Sequence, residues 1–465
     1  MISTLRRFVR KKLLPRLSPE TLRTLHRAES ALTAARLGFP ARGMLVLGVT
    51  GTKGKTTTSH FVSAILREAG YKVGMITTAT FQIGDEVTLN EQHMTALPAK
   101  EMNLFIKRAK EAGCDALIIE TSSHALDQER VWGVPYKYVG LTNITHDHLD
   151  YHKTWDAYQK AKLRLFKRRG LRAAVVNGRD SSAELFLAET TAPRKWSYTL
   201  EEAEPTPGTT DHLIAHHVSG NGSQANFIIS YNGEEQRVQL NLPGRFSVEN
   251  ALCAAALCLN LNLKLGTVVA GLQSVTTVPG RLEKIETRKG FSVLVDYAHT
   301  PDSLEQLYST LRPDVRGRMI AVLGSTGDRD KTKRPIMGAL AARFCDYVLV
   351  TDEEPYSENP QTIIDEVAAG VPRGRPLFKP NKPNRDTEKP PVLRKPGTEQ
   401  GEGDWWWRIA DRKEAITKAI EMAKMDDVIL VTGMGAQTTR FTNAGKEPWK
   451  EREIIETILR EKKLL

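Results

Sequence analysis

Gly48-Val49-Thr50-Gly51-Thr52-Lys53-Gly54-Lys55-Thr56-Thr57-Thr58 is the stretch on which the reading of this chain turns. The apolar run Met44–Val49 leads into it with the composition of a buried parallel strand, and Lys55 to about Ala69 follows with helical periodicity. A glycine-containing turn between strand and helix aims backbone N–H groups and the positive helix end at phosphate. The Lys55 ammonium can then reach the β- and γ-phosphates of ATP, and the Thr56 hydroxyl can hold Mg²⁺. Gly51, Thr52, Lys53, Gly54, Lys55, Thr56 and Thr57 are therefore the expected ATP-binding loop. Val49 stands where the strict G-x-x-x-x-G-K-[ST] pattern has its first glycine, so the flanking strand and helix carry much of the assignment.

Working outward, strand-like Lys72–Thr77, a helical stretch near Lys100–Ala112 and strand-like Ala116–Glu120 continue a β-α alternation that argues for parallel strands with crossover helices. Glu120 ends its strand and is followed by Thr121-Ser122-Ser123-His124, which places a carboxylate beside the phosphate loop, where it suits Mg²⁺. After the next apolar strand, Tyr138–Leu141, the run Thr142–Asp150 brings together His146, Asp147, His148 and Asp150, ligand types that suit a second divalent ion. From Ala173 to Leu242 the pattern turns to hairpins, with Asn232-Gly233 as a turn signal, so antiparallel strands are expected to extend the same sheet. A helix over Val248 to about Leu261 follows, and Val278-Pro279-Gly280 reads as a linker. A second strand–helix alternation then runs from Val293 to Thr432. Within it, Val371–Asp404 carries seven prolines and four glycines and reads as an exposed, disordered insertion, with Trp405-Trp406-Trp407 behind it as a covered strand. The expected organisation is a basic helical extension over 1–42, a central ATP-binding domain over 43–279 and a C-terminal Rossmann-like α/β domain over 280–465.

Composition agrees with a multidomain enzyme. A chain of 465 residues, 40% hydrophobic, can bury two or three cores. The four cysteines lie far apart and form no C-x-x-C pair, and no long apolar run or secretory signal is present, so a cytoplasmic enzyme without disulfides is expected. The net charge of +11 suits nucleic acid, anionic lipid or a polyanionic substrate. Much of it sits at Arg6, Arg7, Arg10, Lys11, Lys12 and Arg16, interleaved with Leu5, Phe8, Val9, Leu13 and Leu14: an amphipathic helix that either packs on the next domain or lies on anionic membrane. No aromatic-interleaved basic groove is seen, so no nucleic-acid partner is expected.

Taken together, Gly48–Thr58, Glu120-Thr-Ser-Ser-His124, Thr142–Asp150, Tyr158-Gln-Lys-Ala-Lys162, Gly244–Asn250, Gly280-Arg281-Leu-Glu283, Asp296–Asp302 and Gly327–Pro335 resemble the Mur ligase family, nearest to its MurE-type branch. That branch adds the third residue of the peptidoglycan stem to a UDP-N-acetylmuramoyl dipeptide. The resemblance implies an ATP-dependent ligase in which a peptide carboxylate becomes an acyl-phosphate and an amino acid displaces phosphate. It implies Lys55, Glu120, His148 and Lys162 as catalytic residues. One Mg²⁺ would sit on Thr56 and Glu120, and a second on His148 and Lys162, the lysine being carbamylated. Asn250 would lie toward adenine, Asp296 toward ribose and Arg281 toward the phosphates. Ser122, Ser123, Arg334, Glu353 and Glu354 would bind the other substrates, with Arg334 meeting the carboxylate of the incoming amino acid.

The chain departs from the branch in two places. Glu353-Glu354-Pro355-Tyr356 replaces the Asp-Asn-Pro-Arg of diaminopimelate-adding members, and Gly433-Met434-Gly435-Ala436-Gln437 replaces Gly-Lys-Gly-His-Glu, leaving lysine, ornithine and diaminopimelate open. Only 47 residues precede Gly48, fewer than the usual uridine-binding domain needs. The alternatives are a related ligase acting on another carboxylate, of folylpolyglutamate or poly-amino-acid type, and a phosphate-loop protein whose ATP turnover drives a partner.

Overall fold

The computed structural model describes residues 19–465 apart from 93, 94, 146, 202, 203, 222, 223, 373 and 375–400. The basic segment around Arg6–Arg16 and most of the 371–404 insertion thus lie outside the described residues.

Two sheets organise the chain. The first has eleven strands in the order β11-β10-β9-β8-β7-β6-β1-β5-β2-β3-β4, where β1 is Leu45–Thr50, β2 Val73–Ile76, β3 Thr80–Ile83, β4 Glu86–Leu89, β5 Ala116–Glu120, β6 Tyr138–Leu141, β7 Ala173–Asn177, β8 Arg194–Leu200, β9 Asp211–Asn221, β10 Gln224–Tyr231 and β11 Glu234–Leu240. The seven strands from β2 through β5, β1, β6, β7 and β8 to β9 run parallel, while β3–β4 and β10–β11 add antiparallel ends. The Asn232-Gly233 turn that joins β10 to β11 has φ of 50° and 79°, the pair of positive angles that a tight hairpin turn demands.

Both faces of this sheet are covered, as near-continuous apolar strands require. In β1, Leu47 and Val49 pack into one core with Phe61 and Ile65 of the Lys55–Glu68 helix, while Val46 faces the opposite core with Ile106 and Tyr136. The Leu265–Ser274 helix approaches so closely that a Cβ on Gly271 would meet the Ile65 backbone at 2.4 Å.

The second sheet has the order β12-β13-β17-β14-β15-β16: β12 Glu283–Glu286, β13 Ser292–Asp296, β14 Met319–Leu323, β15 Tyr347–Val350, β16 Trp406–Arg408 and β17 Val428–Thr432. All but β12 are parallel, and a small hairpin, β18 Thr439–Thr442 with β19 Gly445–Pro448, follows. Its core is likewise two-sided, with Leu294 on one face and Val293 and Val295 on the other. The tryptophan run forms the edge strand, with Trp405 buried beneath it. Among the described residues no helix is long and apolar enough to cross a membrane, and all four cysteines are free and buried.

Candidate active site

In an open parallel sheet, ligands bind at the carboxyl ends of the strands. Here the central strand β1, flanked by β5 and β6, brings three such ends together: the Gly51–Gly54 turn, Glu120, and Thr142-Asn143. The turn is held rigidly. Asn143 takes the Lys53 N–H on Oδ1 at 3.0 Å and the Thr52 N–H on its carbonyl at 2.8 Å, and Thr142 Oγ1 donates to the Lys53 carbonyl at 2.5 Å. Glycine is required at two of its positions. Gly51 (φ 148°) and Gly54 (φ 79°) would each place a Cβ within about 2 Å of a neighbour, Thr142 Oγ1 at 1.9 Å and Asn250 Oδ1 at 2.0 Å.

Lys55 is half-buried and donates to the Thr52 carbonyl at 2.7 Å, and desolvation lowers its pKa. Thr56 Oγ1 donates to Glu120 Oε2 at 2.8 Å. The same carboxylate accepts from Thr78 N–H at 2.8 Å and from Thr78 Oγ1 at 2.9 Å, which fixes its plane. Thr78 was not singled out from the sequence; its signal is the Thr77-Thr78-Ala79-Thr80 run directly after β2.

Lys162 projects from the Trp155–Phe166 helix into the interior, where Nζ donates to the Gly51 carbonyl at 2.6 Å and lies 4.6 Å from the centre of the Tyr158 ring. Its neighbour Lys160 points to solvent and pairs with Asp156. Burial first, and then the nearby Lys55 charge, push the Lys162 pKa well below the lysine range. His148 is the N-cap of the preceding short helix, Leu149–His152, with φ of 55°, and its ring stands edge-on to that of His124, 4.8 Å between centres. His146 lies outside the described residues.

A cavity of about 250 Å³ opens over this loop, and its opposite wall belongs to the second sheet. Arg281 crosses that gap, its guanidinium 3.5 Å from Thr56 Oγ1 and 4.5 Å from the Tyr297 ring centre. Asn250, Phe246, Asp296, His299 and Leu307 line the same space. The Asp296 carboxylate accepts backbone N–H groups of Leu282 and Ala298 at 2.9 and 2.8 Å, so it also pins the turn after β13. Burial depresses the His299 pKa to about 4, which keeps that ring neutral at physiological pH.

The remaining expected substrate residues sit elsewhere. Ser122 caps the Ser123–Asp127 helix by accepting from Ala125 N–H at 3.3 Å, and Ser123 Oγ lies 3.0 Å from His152 Nε2. Arg334 is 0% exposed, grips Glu358 with both terminal nitrogens and also bonds Glu366 and the Thr326 carbonyl. Glu353 and Glu354 do lie at the carboxyl end of β15, on the cleft side of the second sheet.

The donor set at Thr56 and Glu120 is hard oxygen, and among the described residues no three His, Cys, Asp or Glu side chains form a cage of their own. That arrangement fits Mg²⁺, which shares its coordination shell between few protein groups, phosphate and water.

Fold and site together define a phosphate-loop α/β protein with a polar cavity between two sheets. Comparison with known proteins matches the Mur ligase middle domain over residues 49–258 and the Mur ligase glutamate ligase domain over residues 280–435. The UDP-N-acetylmuramoyl-L-alanyl-D-glutamate–2,6-diaminopimelate ligase of Clostridium botulinum is 33% identical over 94% of this chain and 82% of its own length. The UDP-N-acetylmuramyl-tripeptide synthetase of a Roseiflexus species is 34% identical over 91% of this chain and 80% of its own. A solved diaminopimelate ligase structure superposes with a TM-score of 0.61 at 26% identity, covering 91% of this chain and 79% of that one. Folylpolyglutamate synthase of Mycobacterium tuberculosis shares the fold, with a TM-score of 0.66 at 18% identity, over 90% of this chain and 92% of that one. The chain belongs to the Mur ligase family. It is an ATP-dependent enzyme that forms amide C–N bonds.

Proposed function

We propose that this ligase joins the amine of an amino acid to the free carboxylate of a UDP-N-acetylmuramoyl dipeptide, the chemistry that its relatives' names describe. The observation that carries the reading is the Thr56–Glu120–Thr78 junction beside the phosphate loop, faced across the cavity by Arg281. In the first step a carboxylate oxygen bonds the γ-phosphorus and the bridging oxygen departs with ADP. In the second, the neutral amine nitrogen bonds the acyl carbon, the C–O bond to phosphate breaks, and the ammonium proton passes to solvent. Lys55 and the loop N–H groups hold the triphosphate, and Arg281 balances charge on the transferring phosphoryl group. Asn250 and Asp296 serve the nucleoside end, and Ser122 and Ser123 the dipeptide end.

Thr56 and Glu120 would hold a Mg²⁺ that offsets phosphate charge. A buried lysine held neutral beside Lys55 can add to carbon dioxide, losing a proton to become a carbamate. The resulting anion, with His148, would offer oxygen and imidazole ligands to a second Mg²⁺.

The test is phosphate release from ATP and Mg²⁺ with UDP-N-acetylmuramoyl-L-alanyl-D-glutamate and a panel of amino acids. Release should need both the acceptor and an amino acid. Lys162→Ala should lower kcat by roughly 100-fold, on the scale of removing one transition-state contact. Depleting dissolved carbon dioxide should slow the wild type, with bicarbonate restoring it. Release that ignores this acceptor but responds to a folate-type carboxylate would replace the reading with the other ligase class.

A further inference from the structure

The helix Pro19–Arg36 precedes the phosphate loop and lies outside both matched family domains, which span residues 49–258 and 280–435. It packs on the central domain through buried Ala34, which a Cβ on Gly133 would meet at 3.4 Å. Nearer its start, Arg23 Nη2 donates to Asp127 Oδ1 at 2.9 Å. A second guanidinium, that of Arg164 on the helix that also carries Lys162, stands 3.7 Å from the same oxygen. Asp127 ends the Ser123–Asp127 helix, where the backbone dipoles disfavour a carboxylate and two cations offset that cost.

The other carboxylate oxygen leads to the site. Asp127 Oδ2 accepts the Tyr151 hydroxyl at 3.0 Å, and that hydroxyl accepts from Gln128 Nε2 at 3.1 Å. With its hydroxyl so held, the Tyr151 ring centre lies 4.2 Å from that of His124 and 4.7 Å from that of His152, whose Nε2 is 3.0 Å from Ser123 Oγ. His124 in turn backs His148, which lines the cavity. His148 has a left-handed backbone, a conformation that a residue other than glycine keeps only where its surroundings over-determine it. The rings of Tyr151 and His124 are part of those surroundings.

We propose that Arg23 is a positioning residue: the Pro19–Arg36 helix acts as a strap that, through Asp127 and Tyr151, sets the His124–His148 wall of the cavity. Without Arg23 the Asp127 carboxylate turns toward Arg164, the cation that remains, and the Tyr151 hydroxyl loses its fixed acceptor. The Arg23 and Asp127 side chains are 32% and 23% exposed, and an ion pair so open to water adds little to stability, so its loss should show in turnover before it shows in folding. The inference rests on the ligase reading above, which gives His148 to a second Mg²⁺ and Ser123 to the dipeptide end.

The experiment measures phosphate release from ATP and Mg²⁺ with the nucleotide-linked dipeptide and an amino acid, for the full chain carrying Arg23→Met, Tyr151→Phe or both. Tyr151→Phe keeps the ring against His124 and removes only the hydroxyl. Each single change should lower kcat/KM about tenfold, the scale of losing an outer partner of a metal-holding histidine, with Tm nearly unchanged. The double change should fall within about twofold of the weaker single variant, because both cut the same chain of contacts. Arg23→Lys, which keeps a cation, should recover most of the activity. A crystal structure of Arg23→Met should show Asp127 turned toward Arg164 and the Tyr151 ring displaced from His124. Losses that multiply, a lower Tm with unchanged kcat/KM, or an Arg23→Met structure with Tyr151 in place each overturn the strap while the ligase reading stands. No turnover by the unaltered protein overturns the ligase reading, and the Arg23→Met structure then decides the strap alone.

Discussion

Glu354 shows how a single buried carboxylate can cost a protein stability. Burial, and then the charge of Glu353, raise its pKa from the ordinary 4.5 to about 7. Below pH 4.5 the group is protonated whether the chain is folded or not, and it costs nothing. Between 4.5 and about 7 the folded chain holds a proton that the unfolded chain releases, so stability falls as pH rises; above 7 the full cost, on the order of 3 kcal/mol, is present. Glu354→Gln is therefore expected to stabilise the protein at pH 8 and to do little at pH 4.5. Urea unfolding at the two values measures this, and an equal effect at both would mean that the carboxylate is not the source. At the phosphate loop, Gly54→Ala should weaken ATP binding by at least about tenfold, because a Cβ there collides with Asn250 and the backbone is left-handed. Nucleotide titration by calorimetry reads that loss directly.

The elements that carry the site are held by local devices whose strength can be measured. Thr300 caps the Pro301–Leu311 helix, which lines the cavity through Leu307, and forms a reciprocal capping box with Ser303. Thr300→Ala should cost about 1 kcal/mol in denaturant unfolding, with no change in the unfolding slope. Arg412, on the Arg412–Met422 helix, meets Glu451, on the Glu451–Glu461 helix, in a fully buried ion pair that also ties to the Thr432 carbonyl at the end of β17. Removing the arginine alone leaves a buried charge, so Arg412→Met should cost about 3–5 kcal/mol, whereas the double change with Glu451→Leu should recover most of that loss. A double change as damaging as the single one would show that the carbonyl contacts dominate instead.

For the whole molecule, the ATP cavity depends on two sheets meeting. Arg281 follows the linker after Pro279 and reaches back to Thr56, so on the proposed function nucleotide binding is coupled to the juncture between the sheets. ATP with Mg²⁺ at a hundredfold excess over its Kd should stabilise the protein by about 2.7 kcal/mol, since only the folded state binds it. Arg281→Ala should lessen that gain at fixed nucleotide concentration, read as a smaller rise in Tm, while leaving the ligand-free Tm within a few degrees. An undiminished rise would exclude Arg281 from the nucleotide site.

Much of this was legible in the sequence because it depends on local chemistry. Parallel strands show as short apolar runs, the phosphate loop as glycine, lysine and threonine at set spacing, and the hairpin turn as Asn232-Gly233, each dictated within a few residues of itself. Lys162 could be preferred over Lys160 because helical periodicity sets it on the face of Tyr158, Leu165 and Phe166. The bonding partners of Arg334 and Thr78 were not legible, since they lie far away in the chain. Glu358 and Glu366 claim the Arg334 guanidinium, and Thr78 meets a carboxylate 42 residues on. A sequence shows which residue can donate or accept; only packing decides which partners are within reach and which acceptors, like Glu353 Oε2, are left unfilled. The family and the fold class were thus determined by the sequence alone, whereas which side chains are buried scaffold and which line the cavity was decided by the tertiary structure, because burial is a property of neighbours brought together by the fold.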